Sequence, residues 1–247
     1  MKYSLLTSSN SNSLIFIYRY LKSVNKQKIL PYEVIFIDDG ILKIDSKKII
    51  NKTLNKKIKL IFIKNKKNLG ILKSLNKGLK KIRTNLIFRL DIDDSWKRDH
   101  SEYMIKQYKQ NNKYLIYSNS FKHYSKGIVD ETLILDNPTI HSSWVINKNL
   151  LTNFKYCNID KNPEDYGTLS KYYRCGYKYK IVKKKTINHY NIKNSFSKKN
   201  QANLNLQKIR EKNLKHYLKK KSYIDLINEL NVRGIIKCIV NLLIKKY

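Results

Sequence analysis

Acidic residues are scarce in this chain, and their placement points to a site. The sequence carries a formal net charge of +34 with only 18 Asp and Glu residues. Seven of these acids fall in three short clusters, and two of the clusters directly follow apolar runs. The clusters are Asp38-Asp39, Asp91-Ile92-Asp93-Asp94 and Glu164-Asp165. Because α/β proteins bind ligands at the carboxyl ends of their strands, acids placed there favour a binding site over solvated surface.

The central cluster has the spacing of a metal site. Asp91 and Asp93 are two residues apart, so in extended backbone both carboxylates project to the same side. Oxygen-only ligation of this kind suits Mg²⁺ or Mn²⁺, and the pair indicates a metal bound to a diphosphate. Arg89 shares that face, where it either clamps phosphate or pairs with the acids. A simple turn, with Asp94 capping a following helix, is an equal alternative.

The other two clusters each allow two interpretations. Asp38-Asp39-Gly40 closes an apolar strand, where a carboxylate can accept hydrogen bonds from a nucleobase or a ribose; an Asp-Gly turn is the alternative. Asn162-Pro163-Glu164-Asp165 is typical of a helix start. A carboxylate there is also expected to stay ionised at neutral pH, as a general base must. The residues alone leave both pairs of alternatives open.

Short apolar runs alternate with segments of helical period along most of the chain. Strands are predicted over residues 3–7, 33–38, 58–63, 85–90 and 114–118, and their apolar residues on both faces indicate a covered sheet. Helices are predicted over residues 13–24, 71–82 and 101–111. This order predicts an α/β fold with a largely parallel sheet.

The C-terminal part is predicted to be helical only, because no strand pattern occurs after residue 197. Helices are predicted around residues 201–217, 222–230 and 234–246, and the last is amphipathic with basic flanks. It either lies in the interface of an anionic membrane or packs on its own domain. We therefore expect a domain of residues 1–198 and a helical extension of residues 199–247.

The remaining features suggest a cytoplasmic protein. The three cysteines have neither paired nor metal-ligand spacing, which fits a reducing compartment. No segment approaches the roughly 20 apolar residues of a membrane-spanning helix, and the N-terminus lacks the apolar stretch of a signal peptide.

Together, the three acidic clusters and the sequence segments between them resemble family 2 glycosyltransferases. The resemblance implies a GT-A fold, which is Rossmann-like and has a mostly parallel central sheet covered by helices. The matching segments are SLLTSSN from Ser4, YEVIFIDDG ending at Gly40, NLG ending at Gly70, LNKGL from Leu75 and FRLDIDD ending at Asp94. Downstream, NPTIHSSWVI from Asn137 and PEDYGTL from Pro163 also resemble family blocks. Order and spacing agree over about residues 3 to 198.

The resemblance implies a metal-dependent, inverting hexosyltransferase that uses a nucleotide sugar, with a UDP-sugar expected. The donor nucleotide would be held by Thr7, Asp38, Asp39, Asn68, Gly70, Arg89 and Asp91. Asp93, with Asp91, would ligate Mn²⁺ or Mg²⁺ and so neutralise the leaving diphosphate. Asp165 would deprotonate the acceptor hydroxyl, and Glu164 would contact the acceptor or orient the loop.

Three further residues are weaker candidates. Lys193 stands where the family has a histidine in its Tyr-Arg-x-His-x-x-Ser segment, and a lysine can pair with phosphate as a point charge. His189 lies four positions earlier. His141 sits within a matching block, although a lone histidine is more often structural.

The resemblance also implies a setting: synthesis of a bacterial surface polysaccharide or lipooligosaccharide, on a glycan or lipid-linked acceptor. The enzyme would be cytoplasmic, with residues 234–246 touching the inner face of the membrane. The rival interpretation is a basic nucleic-acid-binding protein without enzymatic activity. It draws on the charge of +34 and on tyrosines 172, 173, 177 and 179 as stacking groups, but no nucleic-acid motif is present.

Overall fold

The computed structural model describes residues 1–10, 13–40, 45–120, 133, 137–157, 164–190 and 201–219. The strands are β1 Ser4–Ser9, β2 Glu33–Asp38, β3 Lys59–Lys64, β4 Leu86–Arg89, β5 Ser95–Trp96, β6 Ile116–Ser118, β7 Val145–Asn147, β8 Tyr179–Ile181 and β9 Ile187–Asn188. The helices are α1 Leu14–Asn25, α2 Ser46–Thr53, α3 Ile71–Leu79, α4 His100–Gln110, α5 Glu164–Arg174 and α6 Gln201–Leu218, with a 3-10 helix at His141–Ser143.

Seven strands form one sheet in the order β3-β2-β1-β4-β7-β6-β8. Strand β7 runs antiparallel to its neighbours β4 and β6, and the other pairs are parallel. Strands β5 and β9 pair separately as an antiparallel ribbon. The predicted α/β class with a largely parallel sheet is confirmed.

Helices cover both faces of this sheet, as strands that are apolar on both sides require. Side chains of α1, α2 and α4 join one buried cluster, and those of α3, α5 and α6 join the other. Gly78 of α3 lets that helix approach closely, because a Cβ there would lie 2.5 Å from Leu6 Cδ1 and 2.7 Å from Ile37 Cδ1.

The predicted elements that fall on described residues are present, with ends within three residues of those expected. The short strands β5, β7, β8 and β9 were not predicted, because two or three residues carry too little periodicity to detect. The predicted helices over residues 222–230 and 234–246, and the predicted helix start at Asn162-Pro163, lie outside the described residues.

Helix α6 packs against the helix that begins with Glu164. Asn213 of α6 is fully buried, donates a hydrogen bond of 3.0 Å to Ser170 Oγ and accepts one of 2.6 Å from Arg174. The first part of the predicted extension therefore contacts α5 directly. Within the described ranges, no helix combines the length and apolarity needed to cross a bilayer.

The tyrosines that the nucleic-acid interpretation relied on pack wholly or partly into the apolar core. Tyr172 and Tyr179 are buried, while Tyr173 and Tyr177 are partly buried and pack against the same apolar cluster. Side chains that stack on bases must present a ring face to solvent. Tyr172 and Tyr179 therefore give no support to the rival interpretation.

Candidate active site at the carboxyl edge of the sheet

Asp91 follows strand β4 and is held from two sides. Its Oδ1 pairs with the guanidinium of Arg89, and its Oδ2 accepts a hydrogen bond of 2.7 Å from Ser142 Oγ. Burial would raise the pKa of Asp91, but the charge of Arg89 and the hydrogen bond from Ser142 hold that pKa below its usual range. The carboxylate is therefore charged at neutral pH.

Arg89 is fully buried beneath the site. Besides pairing with Asp91, it donates a hydrogen bond of 3.2 Å to the Leu6 carbonyl of β1. Of the two roles open from the sequence, the geometry supports the ion pair, because the guanidinium is committed to Asp91 and to main-chain carbonyls. A direct phosphate contact from Arg89 stays a prediction.

Asp93 is repelled by the two other acids in this loop. Burial, together with the neighbouring carboxylates of Asp91 and Asp94, raises its pKa to about 6. Arg19 binds this loop through the Asp93 backbone carbonyl and not through the carboxylate. A cation at the Asp91 and Asp93 carboxylates would relieve that repulsion, so these residues fit the divalent metal.

The protein ligands for such a metal are few. Within the described part of the chain, no three His, Cys, Asp or Glu side chains are grouped so as to hold a metal ion. Coordination by Asp91 and Asp93 would need oxygens from the diphosphate and from water, as is usual for Mg²⁺.

Asp94 is not a helix cap, because the next element is strand β5. Its buried carboxylate accepts hydrogen bonds from Ser142 Oγ and, at 3.0 Å, from the Tyr190 backbone N–H. His189 Nδ1 also lies 3.0 Å from Asp94 Oδ2, and this hydrogen bond raises the pKa of His189. His189, one of the weaker candidates, thus holds the loop of Asp91, Asp93 and Asp94, which we call the acid loop. Lys193 lies outside the described residues.

The second acid cluster includes the turn expected from its glycine. The Gly40 N–H donates a 3.0 Å hydrogen bond to Asp38 Oδ1, and Gly40 has a φ of 81°. Asp38 and Asp39 are both buried at the end of β2. The turn alone does not explain Asp39, whose contacts reach the next loop.

Asp39 fastens the loop between β3 and α3. Its Oδ1 accepts hydrogen bonds of 2.9 Å from the Leu69 N–H and 2.7 Å from Ser74 Oγ. The loop carries the predicted donor-binding residues Asn68 and Gly70, and Asn68 Oδ1 accepts a 2.8 Å hydrogen bond from the Gly70 N–H. The structure therefore brings these residues beside the end of β2, as the donor-site prediction requires.

Thr7 is fully buried at the end of β1. Its hydroxyl donates a 2.9 Å hydrogen bond to the Leu90 carbonyl and lies 3.0 Å from the Tyr20 hydroxyl. The side chain thus ties β1 to the loop after β4. A nucleotide contact from Thr7 stays a prediction.

Glu164 and Asp165 lie in the first turn of α5, and burial raises the pKa of both carboxyl groups. Burial, followed by repulsion from Asp165, raises the pKa of Glu164 to about 8. Burial also raises the pKa of Asp165 to about 6, although hydrogen bonds from the Tyr166 N–H (2.6 Å) and Asn137 Nδ2 (2.8 Å) oppose the shift. Asp165 is therefore mainly ionised at neutral pH and Glu164 mainly protonated. The expectation that acids at this helix start stay ionised is wrong for Glu164, because burial and repulsion outweigh the helix dipole.

The 3-10 helix joins the acid loop to α5. His141 Nδ1 lies 3.5 Å from Glu164 Oε1 and 3.8 Å from Asp91 Oδ2, while its Nε2 lies 3.2 Å from the Tyr156 hydroxyl. Burial, with the charge of Arg89, lowers the pKa of His141 to about 3, so the ring is neutral. His141, a weaker candidate from the sequence, thus lies between Asp91 and Glu164.

Sequence reasoning missed three residues around these acids: Ser142, Asn137 and Asn76. Asn76 of α3 exchanges two 2.9 Å hydrogen bonds with the Tyr156 backbone, and so holds the residue that contacts His141. The feature of the sequence that could have indicated Asn137 and Ser142 is the segment from Asn137 to Ser143, where polar residues interrupt a buried stretch. Nothing in that pattern shows which side chains meet the acids.

Comparison with known proteins agrees with this architecture. The pattern of glycosyl transferase family 2 matches residues 10–175. No curated protein sequence matches this chain significantly. The structure of TarS from S. aureus in complex with UDP is 17% identical with a TM-score of 0.65, covering 87% of this chain and 65% of that chain.

Two further structures share the fold. Another TarS structure covers 95% of this chain and 50% of that chain, with 16% identity and a TM-score of 0.64. The mannosyltransferase PcManGT from Pyrobaculum calidifontis, in complex with GDP-Man and Mn²⁺, is 13% identical with a TM-score of 0.67, covering 98% of this chain and 74% of that chain. The chain therefore spans 50% and 65% of the length of the two TarS structures. With a GT-A fold and a pattern match over most of its length, the chain belongs to glycosyl transferase family 2.

Proposed function

We propose that this protein transfers a hexose from a nucleotide sugar to a hydroxyl of a glycan or lipid-linked acceptor, with a divalent metal and with inversion at the anomeric carbon. One observation carries the proposal. His141 lies within 4 Å of both Asp91, in the cluster that is expected to bind the metal, and Glu164, in the cluster that is expected to supply the general base. Acids far apart in the sequence therefore share one site at the carboxyl edge of the sheet.

The donor site is assigned to the ends of β1, β2 and β4. Asp38, Asp39 and the loop of Asn68 and Gly70 line the proposed nucleotide side, with Thr7 and Arg89 beneath. A UDP-sugar is the proposed donor; TarS structures contain UDP and UDP-GlcNAc, whereas PcManGT contains GDP-Man. The metal, when bound at Asp91 and Asp93, would supply positive charge to the leaving diphosphate.

Asp165 is the proposed general base. Each of its carboxylate oxygens accepts one hydrogen bond in the structure, and the pKa of about 6 leaves it charged at neutral pH. It would take the proton of the acceptor hydroxyl while that oxygen bonds to the anomeric carbon. The bond from that carbon to the diphosphate oxygen breaks with its electron pair on the diphosphate. Glu164, mainly protonated, is suited to donate a hydrogen bond to the acceptor.

The biological setting is proposed on the same basis. A glycan or lipid-linked acceptor fits synthesis of a surface polysaccharide or lipooligosaccharide at the cytoplasmic face of the membrane. Residues 1–198 would form the transferase domain and residues 199–247 its helical extension, with residues 234–246 as a candidate membrane contact. Apart from its charge, nothing in the described residues favours nucleic acid as the partner.

The test is a thermal-shift screen of UDP- and GDP-sugars with Mn²⁺. A donor present at ~100 times its dissociation constant stabilises the fold by about 2.7 kcal/mol. Asp93→Ala should lose this donor-dependent shift, and Asp165→Asn should keep it but lose sugar transfer. Glu102→Gln, which removes an exposed acid remote from the site, is the matched control and should retain both.

Two outcomes would overturn the proposal. If no nucleotide sugar shifts the melting temperature of the wild type, the donor assignment fails. If Asp93→Ala keeps the full metal-dependent shift, the metal assignment fails.

A further inference from the structure

The first turns of α1 present apolar side chains to solvent. Ile15 is 73% exposed, Tyr18 50% and Leu14 41%. Positions 14, 15 and 18 lie on one face of a helix, so the three side chains form one patch. We call these three residues the α1 patch. Its inner neighbours Ile17 and Tyr20 are fully buried, so the helix is anchored, while no described residue covers this face.

The same face of α1 becomes basic toward its C-terminus. Lys22 and Lys26 are exposed, four and eight residues after Tyr18. The helix thus presents apolar and aromatic groups at one end and ammonium groups at the other. Amphipathic helices that lie in the interface of anionic membranes combine these two features, and tyrosine favours that depth.

Charge selects among the partners that could cover this patch. A second copy of the chain would bring together two molecules that each carry a net charge of +34, so self-association is opposed. An anionic lipid surface instead attracts the lysines and accepts the apolar side chains. The chemistry of the face therefore matches a bilayer better than another copy.

We propose that α1 docks on an anionic lipid bilayer, with Leu14, Ile15 and Tyr18 inserted at the headgroup level and Lys22 and Lys26 contacting lipid phosphates. This contact is separate from sugar transfer and from residues 234–246, and vesicle binding tests it without any donor or acceptor present.

Docking of this kind would place the active site near the membrane surface. Arg19 follows Tyr18 directly in the chain and donates its hydrogen bond to the backbone carbonyl of Asp93. Its guanidinium also lies 3.8 Å from the ring centre of Tyr190, which is itself 39% exposed. The α1 patch therefore borders the acid loop, which suits an acceptor that is held in a bilayer.

The experiment compares two double variants that leave the net charge unchanged. Ile15→Gln with Tyr18→Gln removes the two most exposed side chains of the α1 patch. Leu150→Gln with Tyr32→Gln is the matched control, because Leu150 and Tyr32 are 40% and 39% exposed and lie at the opposite edge of the sheet. Co-sedimentation with vesicles of equimolar phosphatidylglycerol and phosphatidylcholine measures partitioning, and circular dichroism checks the fold.

We expect the patch variant to partition roughly 100-fold more weakly than the wild type, because two apolar anchors are lost. The control should bind like the wild type. The difference should persist at ~1 M salt, where a Debye length of about 3 Å screens the general attraction of a basic protein. If the double variant loses its fold, Ile15→Gln alone should still weaken partitioning roughly 10-fold.

Two results would overturn the proposal. One is equal partitioning of the patch variant and the wild type; if binding is then lost when residues 234–246 are removed, the membrane contact belongs to the C-terminal segment instead. The other is equal loss in the patch variant and the control.

Discussion

His100, the first residue of α4, should make the protein less stable in mild acid. The ring is fully buried and stacks on Trp96 at 4.4 Å between ring centres. Its Nδ1 lies 2.8 Å from Thr186 Oγ1, and no described residue is within hydrogen-bond distance of Nε2. Burial lowers the pKa of His100 to about 3. The folded protein thus keeps a neutral ring at a pH where the unfolded chain binds a proton.

The sign and size of the change in unfolding free energy that His100 causes follow from proton linkage. The pKa of this group is lower in the folded than in the unfolded chain, where it is near 6.5, so stability falls as the pH drops below 6.5. Between pH 8 and pH 5, His100 should remove about 2 kcal/mol of unfolding free energy. This value changes little for any folded pKa below about 4, because His100 is then neutral in the folded protein at pH 5.

His100→Phe isolates this contribution. Phenylalanine keeps the stack on Trp96 and does not titrate, but it loses the hydrogen bond to Thr186, at a cost of about 1 kcal/mol. The variant should therefore be about 1 kcal/mol less stable than the wild type at pH 8 and about 1 kcal/mol more stable at pH 5. Urea denaturation followed by circular dichroism at both pH values measures the crossing.

His189→Gln provides a control of opposite sign. Its hydrogen bond to Asp94 raises the pKa of His189, so this residue stabilises the fold below pH 6.5 and the stabilisation is lost as the pH rises through the folded pKa. The variant should lose more stability at pH 5 than at pH 8. An equal difference between wild type and His100→Phe at the two pH values would refute the reasoning.

Three further predictions concern the site. Ser142→Ala removes the hydroxyl shared by Asp91 and Asp94 and should weaken Mn²⁺-dependent donor binding at least ~10-fold in calorimetric titration, at a cost of about 1–3 kcal/mol in stability. Unchanged affinity would contradict the positioning role. Gly40→Ala should cost about 3 kcal/mol in urea denaturation, because a Cβ would lie 2.5 Å from the Lys67 carbonyl carbon at a φ of 81°. Gly70→Ala, with the same φ and open space, should cost only ~1 kcal/mol, and equal costs would show that the clash is absent. Chelation with EDTA should abolish donor-dependent thermal stabilisation and added Mn²⁺ should restore it; a shift that survives chelation would exclude a metal requirement.

Local pattern was sufficient for the main elements of the fold. Strands β1 to β4 and helices α1, α3 and α4 follow from apolar runs and helical periodicity, which depend on neighbouring residues only. Their alternation requires a parallel sheet, and a parallel sheet collects the carboxyl ends of its strands at one edge. That Asp38, Asp39 and Asp91 lie at the same edge could therefore be predicted without a structure.

The roles of the individual acids needed tertiary structure. Ser142 and His141 reach Asp91 from a segment some fifty positions away, and no local pattern encodes such a contact. The protonation states of the acids also depend on tertiary structure, because pKa values follow from burial and from charges that only the folded chain brings together. Glu164 and Asp165 are adjacent in sequence, yet the pKa is about 8 for one and about 6 for the other.

The sequence by itself determined strands β1 to β4, their alternation with helices and the acids at the carboxyl edge, because periodicity and strand ends are properties of short segments. Only the tertiary structure decided that Arg89 pairs with Asp91 beneath the site, that Asp94 anchors the loop, and that the described residues leave the α1 patch exposed. Each of these depends on which distant side chains exclude water from a given atom, and that is set when the helices and strands pack together.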